Sequence, residues 1–148
     1  MNWAEIPKQT LLKENGEIGD CWRCCVAALV GLPAEEVPHF LADAIKDSSH
    51  HQMDADTQEW LNQRGWYMVE ANKYHFHRWG RSHFQPPAVI ACGPTSRSKK
   101  MGEHHAVVMR ADELLYDPHP SGEGLTAIIN CYLIFPIREE SKPKKRQT

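Results

Sequence analysis

Gly19-Asp20-Cys21-Trp22-Arg23-Cys24-Cys25-Val26-Ala27-Ala28-Leu29-Val30-Gly31 is the stretch whose reading decides the fold. Trp22, Cys25, Val26 and Leu29 fall at i, i+3, i+4 and i+7, one apolar stripe with a helical period. Asp20 is a good N-cap residue, Gly31 stands where a left-handed C-terminal residue is wanted, and Pro33 follows. The helix therefore starts at Cys21. There the free backbone N–H groups and the positive end of the helix dipole favour a thiolate. Such surroundings, with a neighbouring imidazolium, lower a thiol pKa from about 8.5 to roughly 3.5–7.5 and make the sulfur a nucleophile. Cys25 shares the stripe and reads as a core residue. Cys24, one turn from Cys21, could be a resolving thiol. The alternative is that all three are buried, inert cysteines.

The partners for Cys21 stand far downstream. His104-His105-Ala106-Val107-Val108-Met109 begins an apolar strand, Ala111-Asp112-Glu113 reads as a polar turn, and Leu114-Leu115-Tyr116 returns to Asp117-Pro118. A base on the first strand and an orienting acid on the second can line up across such a hairpin. Thiol–imidazole chemistry needs this: a ring within reach of sulfur, with its other nitrogen held. His105 abuts the apolar run and is the expected base; alternation sends His104 the other way. Asp117 is the expected orienting acid. His119, in the turn-rich 117–124 loop, is a turn residue or a substrate contact. An oxyanion would use the Cys21 N–H and an upstream side-chain amide. Gln9 and Asn15 are the candidates. Gln9 is preferred because it ends Ile6-Pro7-Lys8, which reads as an edge strand, whereas Asn15-Gly16 reads as a turn.

These residues resemble a known group. Asp20-Cys21, His105-Ala106-Val107-Val108 and Asp117-Pro118 look like the nucleophile helix, histidine strand and Asp-Pro of the bacteriocin-leader-processing peptidases, which are papain-like. Gln9-Thr10, Gly19-Asp20-Cys21, the Leu32 to Phe40 segment, His105 to Val108 and Asp117 to Ser121 are similar to small uncharacterised phage and bacterial proteins of that type. The resemblance implies an α+β, papain-like fold, with an N-terminal helical lobe carrying the cysteine helix on a C-terminal antiparallel sheet. It also supports Gln9 as the oxyanion residue. In those peptidases a glycine follows the cysteine; here Trp22 does, and it is expected to narrow or cover a substrate site.

The 148 residues suit one domain, expected over 1–138, with a charged tail at 139–148. Net charge is −2, from 17 basic and 19 acidic residues, so no global field calls for nucleic acid. The start of the chain has no basic and apolar leader pattern, and no apolar run is long enough to span a membrane. Five cysteines, three of them crowded together, do not make a disulfide framework and suit a reducing cytoplasm, which the resemblance implies is that of a bacterium or phage-infected cell.

Elsewhere, Ala34 to Ile45 reads as a helical segment broken by Pro38, and Asp47 to Asp54 as a polar loop containing His50 and His51. Asp56 to Arg64 reads as a second helix capped by Gly65, and Trp66 to Val69 enters the sheet. Residues 72–87 interleave aromatic and basic side chains. Ala88 to Cys92 reads as a central strand, with the sheet expected from about residue 88 onward. Gly93 to Glu103 is a basic loop whose Arg97 and Lys99 could rim an anionic substrate. Thr126 to Ile137 closes the sheet.

The expectation is a cysteine-dependent hydrolase or acyltransferase acting on a peptide or isopeptide amide through a thioester. Cys21, His105, Asp117 and Gln9 would be catalytic, and Trp22, Arg97, Lys99 and His119 would contact a peptide or protein substrate. No cofactor or metal is required. Two rivals differ in class. One is a zinc-binding module using Cys21, Cys24 and histidines, though one CxxC lacks a matched second pair. The other is a noncatalytic interaction module on the same fold.

Overall fold

The computed structural model describes residues 2–46, 52–72 and 86–137. The expectations for His50 and His51, for most of the aromatic–basic stretch and for the tail lie outside these residues. Three helices, α1 (Cys21–Val30), α2 (Phe40–Lys46) and α3 (Gln52–Gln63), precede five strands. These are β1 (Trp66–Asn72), β2 (Val89–Gly93), β3 (His105–Arg110), β4 (Glu113–Tyr116) and β5 (Asn130–Pro136). The sheet order is β1-β5-β2-β3-β4, with every pair antiparallel. The fold is α+β, as expected, with a helical N-terminal region and an antiparallel sheet.

α1 forms for the reasons its sequence gives. Its stripe is buried: Cys25 and Val26 are fully enclosed, as are Trp22, Ala27 and Ala28 nearly so. Gly31 closes it at φ 76°, a left-handed conformation that a Cβ would strain, and its N–H donates to Ala27 O. The helix packs on one face of the sheet, against Met68, Ile90, Ala106, Val108, Tyr116 and Tyr132. Strand alternation turns Val89 and Cys131 to the opposite face, where Ala71, Met109 and Leu133 pack on them.

Several details depart from the sequence reading. Trp66 to Val69 enters the sheet as expected, so the sheet is not confined to the residues from about 88 onward; β1 pairs with β5 along its whole length, Trp66↔Pro136 to Asn72↔Asn130. α3 starts at Gln52, so Met53 and Asp54 are helical rather than in a loop. Met53 packs against the core, which draws that turn inward. Ile6-Pro7-Lys8 forms no strand. Pro7 offers no N–H, and the segment is tied instead by single bonds: Tyr116 Oη donates to Pro7 O at 2.7 Å and Lys8 Nζ to Asp117 O at 2.6 Å.

β1 is an edge strand with a specific cover. The Gln58 side chain of α3 donates Nε2 to Met68 O at 2.7 Å and accepts the Met68 N–H on Oε1 at 2.9 Å. One carboxamide thus satisfies both outward-facing backbone groups of a strand residue.

Candidate functional site

The hairpin of β3 and β4 sets the first part of the site. Its pairs are Arg110↔Glu113 and Met109↔Leu114, then the register shifts and Val108 faces Tyr116. Leu115 is therefore the extra residue of a β-bulge. A one-residue slip changes the face on which every later residue stands. β4 ends at Tyr116, and Asp117 follows it directly. The sequence reading expected the acid to line up with the histidine across this hairpin, but not the bulge within it.

His105 Nε2 and Asp117 Oδ1 are 2.7 Å apart, with the side chains 12% and 1% exposed. Asp117 is over-determined: Oδ1 also accepts the His119 N–H at 2.9 Å and Oδ2 the Gly124 N–H at 2.8 Å. Burial opposes ionisation of this carboxyl, but the bonds from His105, Gly124 and His119 outweigh it and hold the carboxyl below the usual carboxylate range. Burial likewise opposes the imidazolium of His105. Hydrogen bonds to Asp117 and Cys21, and the charges there, carry the ring up to about 9. With Nε2 on Asp117, Nδ1 is left for the thiol. His104 is exposed, as alternation predicts.

Cys21 is the first residue of α1 and is partly exposed, whereas Cys24 and Cys25 are buried. The first N–H groups of a helix have no intrahelical partner. Asp20 stands at the N-cap position, but its carboxylate makes no cap bond. It accepts the Leu11 N–H at 3.3 Å and lies 3.7 Å from Arg23 Nη1. Arg23 in turn donates Nε to Ala34 O and Val37 O, and His39 Nε2 meets Ile18 O at 3.0 Å. The Leu32 to Phe40 segment thus braces the turn that delivers Cys21.

Gln9 is buried and Asn15 is exposed. Asn15 ends a short 3-10 turn closed by Gly16 at φ 75°, as its Asn-Gly pattern predicts. The Gln9 N–H donates to Pro118 O at 2.8 Å, and its Nε2 donates to Leu11 O at 2.7 Å. A Cβ on Gly19 would lie 3.7 Å from Gln9 Nε2, so the carboxamide sits beside the residue two before Cys21. Its Oε1 is buried without a partner.

The expected substrate contacts divide. Trp22 is 5% exposed, its indole donating to Thr57 Oγ1 at 3.0 Å and its ring edge-on to Tyr132 at 4.9 Å. It is a core residue and covers no cleft, because the helical stripe it shares faces inward. Arg97 is engaged by Ser121 Oγ at 3.1 Å and Glu123 at 3.5 Å. Lys99 is exposed, and its N–H is bound by Glu103, which also accepts the Lys100 N–H and pairs with Lys13. The 94–103 loop is thus pinned by its own acid, which the sequence reading took only as a loop end. His119 lies nearest the site: its ring stands edge-on to His105 at 6.1 Å, with Nε2 on Glu14 at 2.9 Å.

Among the described residues, no group of three or more His, Cys, Asp or Glu side chains could hold a metal ion. No single helix there is long and apolar enough to cross a membrane. No family model, curated protein or solved structure matches this chain.

Proposed function

We propose that the protein is a papain-like cysteine hydrolase or acyltransferase that cleaves a peptide or isopeptide amide. One observation carries this reading: the His105 ring is held by a buried, thrice-bonded Asp117, and the thiol at the start of α1 is near enough to favour its charged form. Asp117 would fix the ring with Nε2–H toward its own oxygen, so that Nδ1 exchanges the proton with sulfur. The Cys21 sulfur attacks the amide carbon, and the developing oxyanion is received by the Cys21 N–H and the second N–H of Gln9 Nε2. Collapse breaks the C–N bond, His105 gives its proton to the departing amine, and a thioester remains on Cys21. Water or an amine, losing its proton to His105, then releases the acyl group.

The test is the rate of iodoacetamide alkylation at each cysteine against pH, read by peptide mass spectrometry, in the wild type and in His105→Ala. Fast alkylation of Cys21 alone below pH 7, lost in the variant, supports the reading and justifies screening amide and isopeptide libraries. An ordinary, His105-independent thiol at Cys21 removes it, and the interaction-module reading then takes its place.

A further inference from the structure

We propose that peroxide converts Cys21 and Cys24 into an intrahelical disulfide, a reversible cap on the nucleophile; this rests on the reading of Cys21 as the reactive thiol. The two residues stand at i and i+3 in the first turn of α1. Side chains at that spacing face one another with about 5–6 Å between Cβ atoms, close enough that a small adjustment allows a bridge. Asp20 gives that turn no side-chain cap, and its opening backbone bond is Cys24 N–H to Asp20 O at 3.1 Å.

Exposure orders the chemistry. Cys21 is partly open while Cys24 is 4% exposed, so an oxidant meets Cys21 first. The Cys21 thiolate attacks hydrogen peroxide, breaking the O–O bond to give a sulfenic acid and hydroxide. The Cys24 sulfur then attacks that sulfur; the S–O bond breaks, and the hydroxyl leaves as water with the Cys24 proton. The oxidant is reduced, and two thiols become one disulfide. Burial pushes the Cys24 thiol up to about 12, which keeps it from reacting on its own. Cys25 and Cys92 also lie within electrostatic range of Cys21. Cys25 is fully enclosed in the core and Cys92 is across on β2, so Cys24 is the thiol that shares the first turn with Cys21.

The experiment treats the whole protein with hydrogen peroxide in the presence of dimedone and maps unreduced peptides by mass. The wild type and Cys25→Ala should lose two hydrogens from the peptide carrying residues 21–25, take up no dimedone, and recover with dithiothreitol. Cys24→Ala and Cys24→Ser, checked for folding by thermal melts, should instead trap dimedone on Cys21. A bridge that survives in the Cys24 variants, or sulfinic acid at Cys21 in the wild type, overturns the proposal. Alkylation by iodoacetamide separates the two ideas. A Cys21 that alkylates fast but forms no bridge rejects the switch alone, and one inert to both reagents rejects the switch and the hydrolase reading together.

Discussion

Two histidine–carboxylate pairs stand side by side in this molecule, His105–Asp117 at 2.7 Å and His119–Glu14 at 2.9 Å. By distance they are twins. Their surroundings make them different objects. The Asp117 side chain is 1% exposed and held by two backbone N–H groups besides the ring, whereas Glu14 is half exposed and accepts from His119. The rings differ more. The Ser121 N–H donates to His119 Nδ1, which fixes that ring with its proton on Nε2 toward Glu14. Both nitrogens are then spent. His105 keeps one nitrogen for a thiol. A histidine beside an acid is therefore common structural material, and the unspent nitrogen separates a candidate base from a brace.

The sharpest way to break this contrast is to delete Leu115. Removing the bulge shifts the strand that leads into Asp117 and should draw the carboxylate away from the ring, so the His105 pKa should fall from about 9 toward the ordinary value near 6.5, read by NMR titration. A pKa that stays near 9 would show that the loop, not the register, places the acid. Asp117→Asn keeps the shape but removes the charge, and Cys21 alkylation at pH 6 should slow roughly 100-fold. Gly93→Ala acts from the strand beside His105. Its Cβ would meet the Ala127 carbonyl oxygen, and the overpacking should cost at least about 1–3 kcal/mol in urea melts.

The pH dependence follows from the same pair. His105 has its folded pKa raised, so its contribution is complete below about pH 6.5 and lost as pH rises through about 9. Asp117 has its folded pKa lowered, so its contribution is present above the ordinary carboxyl value and lost as pH falls through the lower one. Urea midpoints should therefore decline on both sides of the interval between, and His105→Ala should flatten the alkaline side. The smallest effect belongs to the exposed pair. Glu14→Gln should cost under about 1 kcal/mol. It should also leave the alkylation profile of Cys21 nearly unchanged; a shift as large as that of Asp117→Asn would erase the contrast.

The elements of this comparison were not equally legible in the sequence. α1 could be read because period, cap position and Gly31 agree, and His105 and Asp117 because a hairpin brings strand neighbours together. The bulge could not, since nothing in Glu113-Leu114-Leu115-Tyr116 marks which leucine is extra; register is decided by the core that receives Val108 and Tyr116. Trp22 was expected at the substrate site because the peptidases this chain resembles carry a glycine there, while its place on the stripe already pointed inward. Arg97 looked free because its partners, Ser121 and Glu123, are more than twenty residues away. The counterpart of Glu14 is more remote still.

The Gln58 carboxamide on Met68 has a consequence for how this protein behaves in company. An uncovered edge strand invites a strand from another molecule, the first step toward swapped dimers or fibrils. Here a newcomer would have to displace two hydrogen bonds already made at that edge, in the middle of β1, before gaining any of its own. Tyr67 and Val69 stay 42% and 40% exposed on the same strand. One glutamine from a helix thus works as a chaperone built into the chain, and crowding should be tolerated for as long as that side chain stays in place.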